Sequence, residues 1–261
     1  MLGHGLDPFK LAEIVEKGVT RKSARGPERR YYRFRGGKWY GGIATGDVVG
    51  CNLRCKFCWS WRYSYYVDKG WFETPETVFE KLTSIASRHK YKYLRLSGGE
   101  PTIGLEHLLR LLDLVEDTKY YFILETNGLL IGRDSGYAKA LAKYSKIVVR
   151  VSFKGCTREE FEHLTGAKGV FYDYQFQALA NLYSHGLKPC EDFYPAIMLS
   201  FSSAESYNSF RKKLAEIHPS LAECIDEEYV ILYPHVKELL RRNKLVPRLA
   251  YSPDNVPSFM V

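Results

Sequence analysis

From about residue 42 to 203 the sequence alternates strand-like and helix-like stretches, and this alternation restricts the fold more than any other feature of the chain. Residues 42–48 read as a first, weakly patterned strand. Residues 74–89 open on Thr74-Pro75-Glu76, an N-cap followed by proline at the first helical position and an early acid. Val78, Phe79, Leu82, Ile85 and Ala86 then recur at helical spacing. Residues 92–96 form a strand that ends at Ser97-Gly98-Gly99, and 104–117 form a Leu-rich helix. A strand at 120–124, a helix at 136–144 and the clearest strand, 146–153, come next. Helices at 157–164 and 173–185 lead to a strand at about 193–201. Repeated βα units make a parallel sheet. Five or six units fall short of the eight of a closed barrel, so the expected fold is α/β, a partial, open (β/α)6-type barrel over residues 41–203. Residues 1–40 precede it as a basic N-terminal extension. Residues 204–261 follow as a C-terminal helical extension, with helices at about 205–217 and 234–243 and a short apolar stretch at 229–233.

At 261 residues and 45% hydrophobic content the chain can bury a substantial core. The charged N-terminus lacks the apolar stretch of a signal peptide. No apolar run approaches the roughly 18 residues of a membrane span. The expectation is a soluble cytoplasmic protein with no membrane partner; the sequence leaves its oligomeric state open. The net charge is +8, and residues 1–40 carry ten Lys/Arg against four Asp/Glu. The basic run Arg21, Lys22, Arg25, Arg29, Arg30, Arg33, Arg35, Lys38 is interleaved with Tyr31, Tyr32, Phe34 and Trp39. Such a run is either a solvated surface or an arm that draws in phosphate backbones and stacks on bases.

Six cysteines are too few for a disulfide scaffold. Three of them, Cys51, Cys55 and Cys58, fall within eight residues in a C-x3-C-x2-C pattern, which points to metal. Three thiolates on one short loop can each ligate a separate iron of a cubane cluster. Structural zinc is the rival; it needs four ligands, commonly two C-x2-C pairs, and only Cys55 and Cys58 form such a pair.

The stretch from Gly50 to Trp59 resembles the cluster loop of the radical S-adenosylmethionine (radical SAM) superfamily, and the resemblance extends over roughly residues 40–203. It implies a radical SAM barrel, a [4Fe–4S] cluster on Cys51, Cys55 and Cys58, and S-adenosylmethionine on the iron that has no cysteine. Phe57 would shield the cluster from water. Ser97-Gly98-Gly99-Glu100-Pro101-Thr102, directly after a strand, resembles the "GGE" motif, so Gly98, Gly99 and Glu100 are expected at the cofactor's amino group. Glu125-Thr126-Asn127-Gly128 resembles the "TNG" segment of activase-like members, which places Thr126 and Asn127 by the cofactor. Ser152 and Lys154, on one face of the strand 146–153 together with Arg150, are expected at its carboxylate or ribose. The implied reaction is reductive cleavage of the cofactor to a 5′-deoxyadenosyl radical that abstracts hydrogen from a substrate, fed by an external one-electron donor such as flavodoxin or ferredoxin.

The substrate is less legible. C-x-F-C-W is similar to the cluster loop of wybutosine-pathway radical enzymes, which, with the basic run, favours RNA. The compact chain also resembles glycyl-radical activases, which act on a protein. A reading from another class is an Fe–S electron carrier, against which the GGE motif and the barrel stand. Cys156, Cys190 and Cys224 are scattered and read as buried small hydrophobes, not as a second cluster.

Overall fold

The computed structural model describes residues 5–260. Its centre is a sheet in which six strands run parallel: β3 (Ile43–Val48), β5 (Tyr93–Ser97), β6 (Tyr121–Thr126), β7 (Ile147–Phe153), β8 (Phe193–Met198) and β9 (Asp226–Glu228). On the β3 side the sheet continues antiparallel through β2 (Gly26–Gly37) and β1 (Thr20–Ser23), and β4 (Trp71–Glu73) also pairs with β2. The sheet is not closed, so the protein is the expected partial barrel.

The helices are α1 (Pro8–Val19), α2 (Trp61–Tyr65), α3 (Pro75–His89), α4 (Leu105–Glu116), α5 (Leu129–Arg133), α6 (Ser135–Leu141), α7 (Arg158–Thr165), α8 (Asp173–Ser184), α9 (Ala204–Ile217) and α10 (Pro234–Arg242). The start of α3 is capped as its sequence dictates, with the Thr74 hydroxyl accepting from Thr77 N and Pro75 in the first turn. Strand residues alternate between two environments. In β7, Val149, Val151 and Phe153 are buried in the core, where Phe153 meets Tyr172, Phe176 and Phe210 edge-on. Arg150 and Ser152 instead line the barrel interior. None of the helices is long and apolar enough to cross a membrane, among the described residues.

Two sequence readings change here. The basic run is not an arm. It is the β1–β2 ribbon, in which Arg29 is buried while Arg21, Arg25 and Arg33 stay partly in solvent and pair with carboxylates of the same chain. The Arg29 side chain is fully buried and donates to the carbonyls of Ile103 (2.8 Å), Val19 (3.4 Å), Arg30 (3.4 Å) and Glu100 (3.5 Å). Arg30 donates to the carbonyls of Gly18, Asp68 and Gly70, while Arg21 and Arg25 pair with Glu28. A guanidinium with five donors suits the orphan carbonyls of helix ends and loops, and spacing alone does not separate this role from phosphate binding. The second change concerns the cysteines. Cys156 is buried as expected, but Cys190 and Cys224 form a disulfide with a Cα–Cα distance of 5.7 Å. They lie in the loops entering the neighbouring strands β8 and β9. Closing a loop across 34 positions stabilises by about 3–4 kcal/mol in the chain-entropy picture.

His107 on α4 ties that helix to β2. Pro27 O can only accept, so Nδ1 donates to it (3.1 Å) and Nε2 accepts from the buried Tyr31 hydroxyl (2.9 Å). Burial pushes His107 down to about 4, so the neutral ring is the folded form. An imidazole depressed below its unfolded value of about 6.5 takes up its proton more readily in the unfolded chain. Its contribution is therefore intact above pH 6.5 and lost as pH falls toward 4. Lowering pH from 7.5 to 4.5 should cost about 2–3 kcal/mol through this residue. Urea unfolding at the two pH values should show that slope in the wild type and lose it in His107→Gln; an unchanged slope in the variant would refute the assignment.

Candidate functional site

The loop from β3 to α2 carries Cys51, Cys55 and Cys58, and all three line one cavity of about 980 Å3. The loop is stitched from within. Arg54 Nη1 donates to the carbonyls of Cys51 (2.6 Å), Leu53 (2.9 Å) and Ser64 (3.4 Å), and its guanidinium lies 4.7 Å from the Tyr65 ring centroid. From outside, Arg54 N and Lys56 N bond to the carbonyls of Thr165 and Leu164 at the end of α7. Phe57 is buried against Phe201, with centroids 5.5 Å apart, and also lines the cavity.

The GGE turn follows β5 and docks on this loop. Glu100 N donates to Gly50 O at 2.8 Å. Gly98 has φ +89°, and a side chain on Gly99 would run into Gly50 O, so neither position tolerates a Cβ. The Glu100 carboxylate is buried and ties the GGE and TNG turns together. Oε1 accepts from Thr102 N (3.1 Å), the Thr102 hydroxyl (2.6 Å) and the Thr126 hydroxyl (2.7 Å); Oε2 accepts from Asn127 N (2.8 Å). Asn127 in turn donates from Nδ2 to Asn52 Oδ1 at 2.7 Å, and its Nδ2 lies 4.0 Å from Cys51 Sγ. Gln175 on α8, which the sequence did not single out, donates to the carbonyls of Asn127 (2.8 Å) and Ser152 (3.0 Å) and so joins the ends of β6 and β7.

Ser152 and Lys154 also face the cavity, where both meet Glu228 on β9. Lys154 further donates to the Ser152 hydroxyl. Arg150 reaches Asp226 (2.7 Å) and Glu228 (2.5 Å) beyond β8. Ala196, in register between Ser152 and Asp226, leaves room for that reach. A second pair, Arg95 with Glu125 (2.7 Å), is completed by Ser97 and Tyr40, both of which donate to Glu125. Burial alone would raise both glutamates. Arg95 and Arg150 overcome it at Glu125, and Lys154 and Arg150 at Glu228, which holds each at about 2. Both carboxylates are thus ionised across the neutral range.

The sequence thus supplied Cys51, Cys55, Phe57, Cys58, Gly98, Gly99, Glu100, Thr126, Asn127, Ser152 and Lys154, and all of them line this one cavity. It missed Tyr40, Arg95, Glu228 and His235, and it named Arg33 and Arg35 only as part of the basic run, without placing them at this cavity. Arg95 and Glu228 are charged residues inside short strands, which a period-2 pattern alone assigns to solvent, while Tyr40 and His235 lie in a turn and on α10 and reach the cavity only through the fold.

The donor set fits an iron–sulfur group. Burial pushes Cys51 up to about 12, with help from Glu100, and raises Cys55 as well, so the loop alone does not keep its thiols ionised; a cationic metal group would. Among the described residues no three Cys, His, Asp or Glu are grouped to hold a single ion, and thiolates on separate irons stand wider apart than ligands of one ion. Donors surround the sulfurs. Leu53 N lies 3.4 Å from Cys51 Sγ, and the Ser60 and Ser64 hydroxyls lie 3.5 and 3.7 Å from Cys58 Sγ. The buried Asn52 Nδ2, next to the first cysteine, has no hydrogen-bond partner among the described residues.

The family profile described as the Radical SAM superfamily matches residues 47–198. A probable GTP 3′,8-cyclase of Thermococcus kodakarensis is 34% identical over 123 residues, 46% of this chain and 37% of its own length. The 7-carboxy-7-deazaguanine synthase of Hyperthermus butylicus is 36% identical over 83 residues, 32% of this chain and 33% of its own. The chain thus spans about a third of the length of these curated relatives. Among solved structures, Streptococcus suis SuiB bound to S-adenosylmethionine shares the fold with a TM-score of 0.56 at 16% identity, over 81% of this chain and 52% of SuiB. The family profile covers more than half of the chain, from the end of β3 to the end of β8, and takes in the cysteine loop and the GGE and TNG turns, so the protein belongs to the radical SAM superfamily of enzymes.

Proposed function

We propose that Cys51, Cys55 and Cys58 hold a [4Fe–4S] cluster and that the GGE and TNG turns, with Ser152 and Lys154, hold S-adenosylmethionine beside it. The observation that carries this reading is the convergence of the three thiols, both turns and the Ser152–Lys154 pair on one cavity. With both groups bound and an electron from an external donor such as flavodoxin or ferredoxin, the site supplies reductive cleavage of S-adenosylmethionine to methionine and a 5′-deoxyadenosyl radical, which takes a hydrogen atom from the substrate. The chain's own part is placement. Glu100 fixes the spacing of the two turns, the ammonium of Lys154 offers a partner for a carboxylate, and Phe57 keeps water from the thiols. At about 980 Å3 the cavity sits at the upper end of small-molecule sites, about 300–1,000 Å3, and has room for a substrate beside the cofactor.

Anaerobically prepared, dithionite-reduced protein should convert S-adenosylmethionine slowly to 5′-deoxyadenosine and methionine without any substrate. Glu100→Ala should weaken cofactor binding by about tenfold or more, at unchanged iron content, because it releases four hydrogen bonds that hold both turns. Absence of 5′-deoxyadenosine from protein with a full cluster would end this reading. A substrate that is a nucleotide or an RNA is the favoured class. The net charge of +8 agrees with it, and the two curated relatives are a probable GTP cyclase and a deazaguanine synthase.

A further inference from the structure

At the mouth of the cavity, Arg33 and Arg35 project from β2 onto one carboxylate. Asp47 Oδ2 accepts from Arg33 Nε (2.6 Å) and Arg35 Nε (2.9 Å), and Asp47 Oδ1 from Arg35 Nη2 (3.3 Å). The Asp47 side chain is wholly buried, whereas that of Arg33 is 44% exposed and that of Arg35 24%. Two cations thus share one anion, and one positive charge is left over. Among the described residues both Nη groups of Arg33 and Nη1 of Arg35 make no hydrogen bond. The two guanidinium carbons lie 5.6 and 5.8 Å from the ring centroid of Trp59, which directly follows the third cluster cysteine and is 39% exposed. Trp59 is held in turn from the C-terminal segment, where His235 Nε2 lies 2.7 Å from its carbonyl oxygen. Arg33, Arg35, Trp59 and His235 line the cavity.

We propose that Arg33, Arg35 and Trp59 form a substrate subsite that takes the phosphate of a nucleotide, with its base stacked on the indole. Free guanidinium N–H groups fixed in a plane match phosphate oxygens. Asp47 has already ordered both side chains, so little rotamer freedom is lost on binding. The indole supplies the flat apolar surface that any base accepts. Asp47 also leaves only one net charge in place, which suits a single phosphate at the mouth and not a polyanion along the ribbon. The subsite rests on the proposed function only in sharing its cavity.

Binding is measured by calorimetry with 5′-GMP, guanosine and indole-3-acetate as probes; guanine keeps the assay clear of the adenosyl site. The wild type should bind GMP about tenfold or more tighter than guanosine. Arg33→Gln leaves the contacts of Arg35 with Asp47 in place, so the fold survives, and it should remove most of that preference. Trp59→Leu should weaken GMP and guanosine together by about tenfold. If Arg33→Gln instead weakens a short single-stranded RNA by that factor and leaves GMP unchanged, the phosphate belongs to a strand. Equal affinity for GMP and guanosine, or tighter binding of indole-3-acetate than of GMP, would overturn the proposal. Loss of cofactor cleavage with GMP binding intact would fault the proposed reaction and not this subsite.

Discussion

Changing any one of Cys51, Cys55 and Cys58 to alanine is expected to strip the protein of its iron and reduce 5′-deoxyadenosine formation to background. Wild-type protein reconstituted without oxygen should hold about four irons and four sulfides per chain. Two thiolates make a poor cluster site, and the buried Cys156 does not line this cavity to replace the third. The fold itself should survive, since the loop is held by Arg54 and by the α7 carbonyls and not by the sulfurs. Iron and sulfide analysis with the visible absorption spectrum reads the outcome. Full iron in the triple variant would remove the assignment altogether.

Arg29→Met is expected to destabilise the protein by about 3–5 kcal/mol, a loss few other arginines here would match. The residue is 1% exposed, and its guanidinium serves carbonyls from α1, β2, the GGE turn and the segment leading into α4. Methionine fills much of the volume but leaves those acceptors unpaired. Because Glu100 O is one of them, S-adenosylmethionine affinity should fall as well. Urea unfolding of Arg29→Met beside Arg33→Gln separates the two kinds of arginine, the second costing about 1 kcal/mol or less because its side chain is partly solvated. A loss under 1 kcal/mol at position 29 would mean that the carbonyls find other donors.

What could be read from the sequence follows from how local each signal is. The cysteine loop, the GGE turn and the TNG turn are contiguous stretches, and Gly98, Gly99, Glu100, Thr126 and Asn127 of the two turns all line one cavity. Arg150, Ser152 and Lys154 were placed on one strand face by alternation, and that face is the cavity wall. The sixth parallel strand escaped because it is Asp226-Glu227-Glu228, three carboxylates with no apolar period to mark them. It becomes a strand because Arg150 and Lys154 wait for it across the barrel, a partnership more than seventy residues long in sequence. The Cys190–Cys224 bridge is hidden for the same reason. The basic run left two readings open, a solvated surface or an arm that draws in phosphates. Its composition was plain, but only the paired ribbon shows that Arg29 faces inward while Arg33 stays partly in water.

The charged inner wall has a further consequence for what binding there can achieve. Transfer of a hydrogen atom, as proposed, moves no net charge, so the Arg95–Glu125 and Arg150–Glu228 couples meet no growing dipole that they could favour over the ground state. Their value lies in orientation that needs no solvent rearrangement: a polar substrate exchanges its hydration for groups already neutralised in fixed positions. Weakening one of these couples should therefore be felt as looser aim. The hydrogen removed would become less selective in position or in deuterium retention well before the turnover rate collapsed.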